Sequence, residues 1–403
     1  MSSKLDQLLV RLCPNGVDMC RLSCLARLKN GRSYAHLSSG KIPVYGSGGV
    51  MTYVNEYVYD KPTVLIPRKG SLNNLFYVET PFWNVDTIFY TIIDSCKVVP
   101  KYLFYCLQSK HLETLNMAGG VPSLTQSTLN DIIIPVPPLE VQNEIVRILD
   151  KFTELTAELT AELTARRKQY EYYRDLLLSF DNRNRGWYDS FIQKINRVDS
   201  HGITFKRFGD MAKIQRGASP RPIHRFLTTD ASGINWIKIG DVKPGDKFVG
   251  STSERITQEG AKMSRFVQEG DFILSNSMSF GRPYIVRESG CVHDGWLVIS
   301  NFREKFTSDF LYHLLSSDGP QRAMRQKASF GGAVQNLNAD IVRDLILPVP
   351  PLPIQEKIAE VLDRFDTLCN DLTSGLPAEI EARKKQYEYY RDKLLSFKPL
   401  KHA

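Results

Sequence analysis

The residues of this chain best suited to bind something are short runs of amides, hydroxyls and cations set between apolar stretches. The first run is Arg68-Lys69-Gly70-Ser71-Leu72-Asn73-Asn74, which follows the apolar residues 63–67. Lys29, Arg32 and Tyr34 flank Gly31, and Tyr45-Gly46-Ser47-Gly48-Gly49 lets backbone approach a ligand where side chains are missing. The same residue types recur later. Ser275-Asn276-Ser277 follows another apolar run, with Arg282 and Tyr284 just beyond, and Arg216, Ser219, Arg221, His224 and Arg225 surround Gly217. Lys327, Ser329, Gln335 and Asn336 stand where residues 123–126 stand in the first half; residues 123–126 and Trp83-Asn84 are secondary candidates. Asn, Gln and Ser present donors and acceptors that match the edges of nucleic-acid bases. Lys and Arg suit phosphates, and Arg can also clasp guanine through two hydrogen bonds.

Covalent chemistry has no comparable set of residues. There is no Asp/Asn-Pro-Pro-Tyr/Phe methylation motif: Val136-Pro137-Pro138-Leu139 lacks the flanking polar and aromatic groups. No GxxxxGK[ST] phosphate loop or His/Glu metal constellation occurs, and the seven histidines are dispersed. His293-Asp294 has the composition of an acid–base pair, but a sheet-edge hydrogen bond is the favoured reading. Cys13, Cys20, Cys24, Cys96, Cys106, Cys291 and Cys369 form no CxxC pair, which points to reduced thiols, a cytoplasmic protein and no metal site. No run of eighteen apolar residues and no leader pattern is present, so no membrane association is expected.

The elements that must position these loops come in two copies. Residues 165–180 and 382–397 agree at fourteen of sixteen positions, and each closes a helical pattern opened by a PVPPL phrase at 135–139 or 348–352. Gly31 matches Gly217 at an offset of 186, Leu124 matches Leu337 at 213, and the sixteen-residue phrases match at 217. The second globular segment therefore carries 27 extra residues, while the scaffold is repeated. Such a chain should fold with an internal pseudo-two-fold, which suits a two-fold partner such as duplex DNA. The formal charge is +8, yet the two helical segments 139–180 and 352–397 together carry −4. The globular segments thus hold the positive excess, as surfaces facing a polyanion do.

Short β-rich runs at 63–67, 85–93, 234–239, 271–275 and 296–300, with short helices at 101–108 and 308–315, predict α+β domains with mixed sheets. Between them, Ile145, Leu149, Phe152, Thr156, Leu159, Leu163, Arg166, Tyr170, Tyr173, Leu177 and Phe180 alternate in steps of four and three, a heptad seam. The second segment starts the same seam at Ile358, Leu362, Phe365, Cys369 and Leu372. Ser374-Gly375-Leu376-Pro377 should break it before Ile380, Arg383, Tyr387, Tyr390, Leu394 and Phe397 resume it. The tyrosines read as rod core and as docking surface for partners. Two such rods most simply pack as an antiparallel coiled coil separating the domains; the alternative is that each packs on its own domain.

With these features together, the chain resembles the specificity subunit of a type I restriction–modification enzyme over essentially its whole length. The resemblance rests on the PVPPL-x-x-Q phrases with Gln142 and Gln355, the paired ARxKQYEYYRD phrases, and the opening Cys13-Pro14-Asn15-Gly16-Val17. It also rests on the tandem tetrapeptides at 156–159 and 160–163, similar to a subgroup whose TAEL copy number sets the gap between DNA half-sites. The resemblance implies a non-catalytic subunit with recognition domains at 1–137 and 183–350 and spacer helices at 138–182 and 351–403. Each domain would read one half-site of double-stranded DNA. Two modification subunits and two restriction subunits would supply adenine methylation and cleavage, using S-adenosyl-methionine, ATP and Mg. The competing readings are a helical scaffold for two copies of a protein, with incidental charge, and a stand-alone methyltransferase or nuclease, opposed by the missing motifs.

Overall fold

The computed structural model describes residues 4–115, 122–180, 203–242, 245–276, 280–328, 337–371 and 373–400. The chain divides into two compact units, Met1–Leu159 with Ile380–Ala403, and Thr160–Glu379. The expected boundary at 182/183 lies outside the described residues, as do Ser277, Ser329, Gln335, Asn336 and the seam residue Leu372.

In the first unit, strands Ala26–Asn30, Ile88–Ile93, Thr63–Pro67 and Phe76–Val78 form one antiparallel sheet in that order. Gly49–Val54, Ser39–Gly46 and Trp83–Asn84 form a second, mixed sheet. A ribbon of Asp18–Arg21 on Ile133–Val136 then leads into the long helix Leu139–Ser179. Thr63–Pro67 is an unbroken apolar run because both of its faces are covered. Val64 and Ile66 join the core under helix Pro100–Gln108, while Leu65 packs with Val78, Phe82 and Ile88.

The second unit repeats this plan. Its ribbon is Thr204–Arg207 on Ile346–Val349. Its main sheet runs Lys213–Arg216, Trp296–Ser300, Phe272–Ser275, Pro283–Val286, with Phe248–Val249 added in parallel at the edge. Again one strand feeds two cores, Phe272 and Leu274 on one side and Ile273 on the other. Pro67 pairs with Ile88 and Ser275 with Trp296, an offset of 208. Most of the extra chain therefore enters between the first strand and this one. There a five-stranded mixed sheet (Leu227–Thr228, Glu254–Ile256, Ile234–Ile237, Gly290–Val292, Arg265–Val267) replaces the three-stranded one. Both units are α+β with mixed sheets, as the sequence predicts.

The seam is visible in burial. Phe152, Thr156, Leu159, Leu163 and Arg166 are half-buried between exposed neighbours, and Ile145, Leu149, Tyr170 and Leu177 are buried. Each unit contains pieces of both helical segments, and within each unit they pack on one another and on the domain. In the first, Phe152 stacks on Tyr390 at 5.4 Å. In the second, Phe365 stacks on Tyr170 and Tyr173, and Arg167 donates to the Cys369 carbonyl, so the two helices run antiparallel there. The second segment is two helices, Leu352–Asn370 and Leu376–Leu394, broken at the predicted Gly375 region.

The repeated PVPPL-x-x-Q phrase has a structural cause. Gln142 is fully buried; its Oε1 accepts from the Val99 N–H, and its Nε2 donates to the carbonyls of Lys97 and Pro137. Gln355 does the same with Thr307 N–H and the carbonyls of Lys305 and Pro350. Each glutamine thus ties the helix start to the segment entering the domain's own helix. The repeated tyrosine serves a similar purpose. Tyr387 Oη donates to Gln108 Oε1 at 2.8 Å, while Tyr170 Oη lies 3.1 Å from His313 Nδ1. Beside them Asp150 accepts from Tyr105 and Lys101, and Asp363 accepts from His313 and Lys247. Tyr170 and Tyr387 therefore anchor each domain from within; Tyr172 and Tyr389 are the most exposed members of the runs, at 63% and 61%.

Candidate nucleic-acid interface

Equivalent close approaches fix the two candidate loops. A Cβ on Gly31 would lie 2.0 Å from the Val85 carbonyl oxygen, and one on Gly217 would lie 2.2 Å from that of His293. No side chain fits at either place. The chain can therefore run directly against the turn that enters strand Ile88–Ile93 or Trp296–Ser300. The loop after the adjacent strand is held by a second repeated pair of bonds. Arg68 N–H donates to the Thr87 carbonyl and its own carbonyl accepts from Leu124; Asn276 makes the same two bonds with Gly295 and Leu337.

Beside each junction lies a cavity. The first, about 690 Å³, is lined by Gly31, Arg32, Ser33, Tyr34, Ser47 and Asp86, among others. Asn74 Nδ2 donates to the Ser47 carbonyl, and Ser47 N–H to Thr87 Oγ1, so the 68–74 loop and the glycine-rich turn meet there. Gly70 has φ +81°, the left-handed region that permits this turn, and Lys69 pairs with Ser123 through a β-bridge. Arg68 packs its guanidinium 5.4 Å from the Phe89 ring centre, and Lys69, Ser71, Asn73 and Asn74 are exposed. Lys29 lies on the first strand opposite Tyr90, and half-buried Tyr45 packs on Phe76 and Phe82.

The second cavity, about 800 Å³, is lined by Ser219, Arg221, His224, Trp236, Lys238, Glu254, His293 and Asp294, among others. Asp294 is its hub. Its carboxylate accepts from Ser219 Oγ at 2.8 Å and Arg221 Nη2 at 3.2 Å, and its carbonyl accepts from Arg216 Nε and Asn276 Nδ2, each at 3.0 Å. His293 Nδ1 accepts from the Gly295 N–H, which puts the ring proton on Nε2, 3.1 Å from Asp294. Partial burial works to raise the Asp294 pKa. The Ser219 hydrogen bond, the neighbouring His293 and the Arg221 charge outweigh it and hold the carboxyl below the usual carboxylate range. The favoured reading of His293-Asp294 as a structural hydrogen-bonding pair fits this geometry.

Four of the predicted residues thus meet at Asp294, a residue that the sequence reading treated as structural: Ser219 and Arg221 at its carboxylate, Arg216 and Asn276 at its backbone carbonyl. Others lie elsewhere. Tyr284 is 1% exposed, its ring against Trp296, because every position of Pro283–Val286 is buried. Ser275 is fully buried and accepts from the Arg282 N–H, so it and Tyr284 shape the loop from inside and are corrected as contact candidates. Arg282 opens onto a different cleft, lined by Arg174, Tyr312 and Asp366. Lys327 ends helix Asp318–Lys327, near Asp344. His224 and Arg225 are exposed on the turn Ile223–Arg225, and only His224 borders the cavity. Trp83 and Asn84 are buried; their side chains donate to the carbonyls of Arg32 and Ile88. Asp86 and Ser33 are the residues the sequence reading missed. They match Asp294 and Ser219 at offsets of 208 and 186, a signal available from aligning the central strands. Among the described residues no cluster of His, Cys, Asp and Glu suits a metal, and no helix is long and apolar enough to cross a membrane.

The family described as type I restriction modification DNA specificity domain matches residues 14–166 and 201–382. A Haemophilus influenzae protein assigned as a type I restriction enzyme specificity subunit is 31% identical over 374 residues, 89% of each chain. The EcoR124I/EcoR124II specificity subunit of Escherichia coli is 34% identical over 327 residues, 76% of this chain and 73% of that one. Two solved structures share the fold. The type I S subunit from M. genitalium aligns with a TM-score of 0.54 at 14% identity, over 94% of this chain and 96% of its own. A chain of a type I R-M system aligns with 0.61 at 16%, over 95% and 98%. Two matched segments, one duplicated framework and two loop-lined cavities agree: the chain belongs to the non-catalytic DNA specificity subunits of type I restriction–modification systems.

Proposed function

We propose that each unit reads one half of a bipartite duplex target, and that the helical segments set the unread gap between the halves. The observation that carries this reading is the pairing of a repeated framework with unlike cavities: the same backbone bonds at Arg68 and Asn276, but Arg32, Ser47 and Asp86 around one cavity and Arg221, His224 and Lys238 around the other. Lys and Arg would hold phosphates while the loops meet base edges in the major groove. The chain would work in the cytoplasm with two modification subunits, which take adenine as target and S-adenosyl-methionine as methyl donor. Two restriction subunits would add ATP- and Mg-dependent cleavage.

The tandem tetrapeptides support a ruler role like that of the subgroup they resemble. The unit division falls between the two copies, at Leu159 and Thr160, within one continuous helix. Four residues of helix span about 6 Å. Mapping methylated adenines by single-molecule sequencing in a host expressing the modification complex tests both ideas. The intact chain should give two short half-sites with an unread gap, and deleting residues 160–163 should shorten that gap with both half-sites unchanged. A half-site altered by the deletion would contradict the ruler, and sequence-independent methylation would contradict the reading function.

A further inference from the structure

We propose that Arg221, braced by Asp294, reads a guanine in the half-site of the second unit; the inference rests on the DNA-reading function above. The Arg221 side chain is 81% exposed, yet one terminal nitrogen is bonded to Asp294. That carboxylate is itself fixed by Ser219 and faces His293, and its backbone carbonyl holds Arg216 and Asn276. A free arginine on a surface loses rotamer freedom when it is ordered. Here part of that ordering is present before any ligand arrives. One side of the guanidinium fork is occupied, and its remaining N–H groups are left to act together.

The cavity wall decides what they meet. Asp294 and Glu254 are both on it, with Trp236 and Leu227 supplying apolar surface. Lys238 on the same wall is paired with Glu254 at 2.7 Å, as Arg221 is with Asp294, so the wall offers a phosphate no unpaired lysine or arginine, whereas a base edge carries no net charge and needs none. Among bases, only guanine offers two neighbouring acceptors, N7 and O6, in the major groove. Adenine sets a donor beside its N7 and cannot satisfy the fork. Asp294 is a positioning residue in this scheme, acting through Arg221.

The first unit makes the assignment specific to the second. Asp86 occupies the place of Asp294, but Ala35 stands at the position of Arg221 and no arginine is paired with Asp86 among the described residues.

The test maps methylated sites for the modification complex carrying Arg221→Ala, Arg221→Lys or Asp294→Asn, with binding to duplexes altered at single positions measured across salt concentrations. Arg221→Ala should lower the preference for guanine at one position of the second half-site by about 5- to 150-fold, with the first half-site and the gap unchanged. Arg221→Lys keeps the charge but not the fork, and should relax the same position; Asp294→Asn should relax it partly. Uniformly weaker binding with a shallower salt slope and an unchanged motif would make Arg221 a phosphate contact and overturn the proposal. A second half-site without guanine, or relaxation at a position that is not guanine, would also overturn it. Loss of all sequence preference in the wild-type complex would instead defeat the DNA-reading function itself.

Discussion

The two units share their backbone bonds and differ in the side chains that those bonds present. Gln142 and Gln355 make corresponding sets of three hydrogen bonds, Gly31 and Gly217 press against corresponding carbonyls, and the loops at Arg68 and Asn276 are pinned by corresponding pairs. Around the cavities the correspondence ends. Asp86 is exposed with no partner among the described residues, while Asp294 gathers Ser219, Arg221 and His293. A protein that keeps its framework and varies its pockets can change one recognised sequence without refolding the rest.

The largest expected effect tests the framework half of this comparison. Gln142→Ala or Gln355→Ala removes a buried side chain that satisfies three backbone groups, and an unpaired buried group costs about 1–3 kcal/mol. Each variant should lose roughly 3 kcal/mol or more and lower Tm by roughly 5–10 °C, measured calorimetrically. Similar losses at the two sites are the prediction. A large loss at one and none at the other would break the equivalence of the units. A smaller effect tests the pocket half. An unpaired carboxylate at Asp86 can accept from the exocyclic amino group of cytosine or adenine, whereas an amide there can also donate. Asp86→Asn should therefore change the preferred base at one position of the first half-site by about tenfold, read by competition between duplexes, with stability unchanged. Equal binding of all four variants of every position would remove Asp86 from the reading surface.

Much of the framework was legible in the sequence, and the pockets only in part. The strands Thr63–Pro67 and Trp296–Ser300, the helices near 101–108 and 308–315, and the break at Gly375 follow from local pattern, which burial on both faces and missing Cβ atoms impose directly. The seam was legible because a four-three spacing survives even where its residues are only half-buried. The hub at Asp294 was not. Its partners besides the adjacent His293 come from positions 216, 219, 221 and 276, and only tertiary folding brings them to this one residue. Reading a positive surface also turned attention away from acids, so Asp86 was missed beside the neighbouring Trp83-Asn84. Tyr284 misled for another reason. A tyrosine after a polar loop reads as a contact residue, but here it lies inside a strand buried on both faces.

The central claim is that each half of the repeat reads its own DNA sequence. Its most direct test is the combined replacement Arg68→Ala, Lys69→Ala and Asn73→Ala, followed by mapping every methylated adenine laid down by the modification complex. The account predicts that one half-site loses its sequence preference while the other half-site and the gap keep theirs. An unchanged motif, or a change in both half-sites at once, would contradict it.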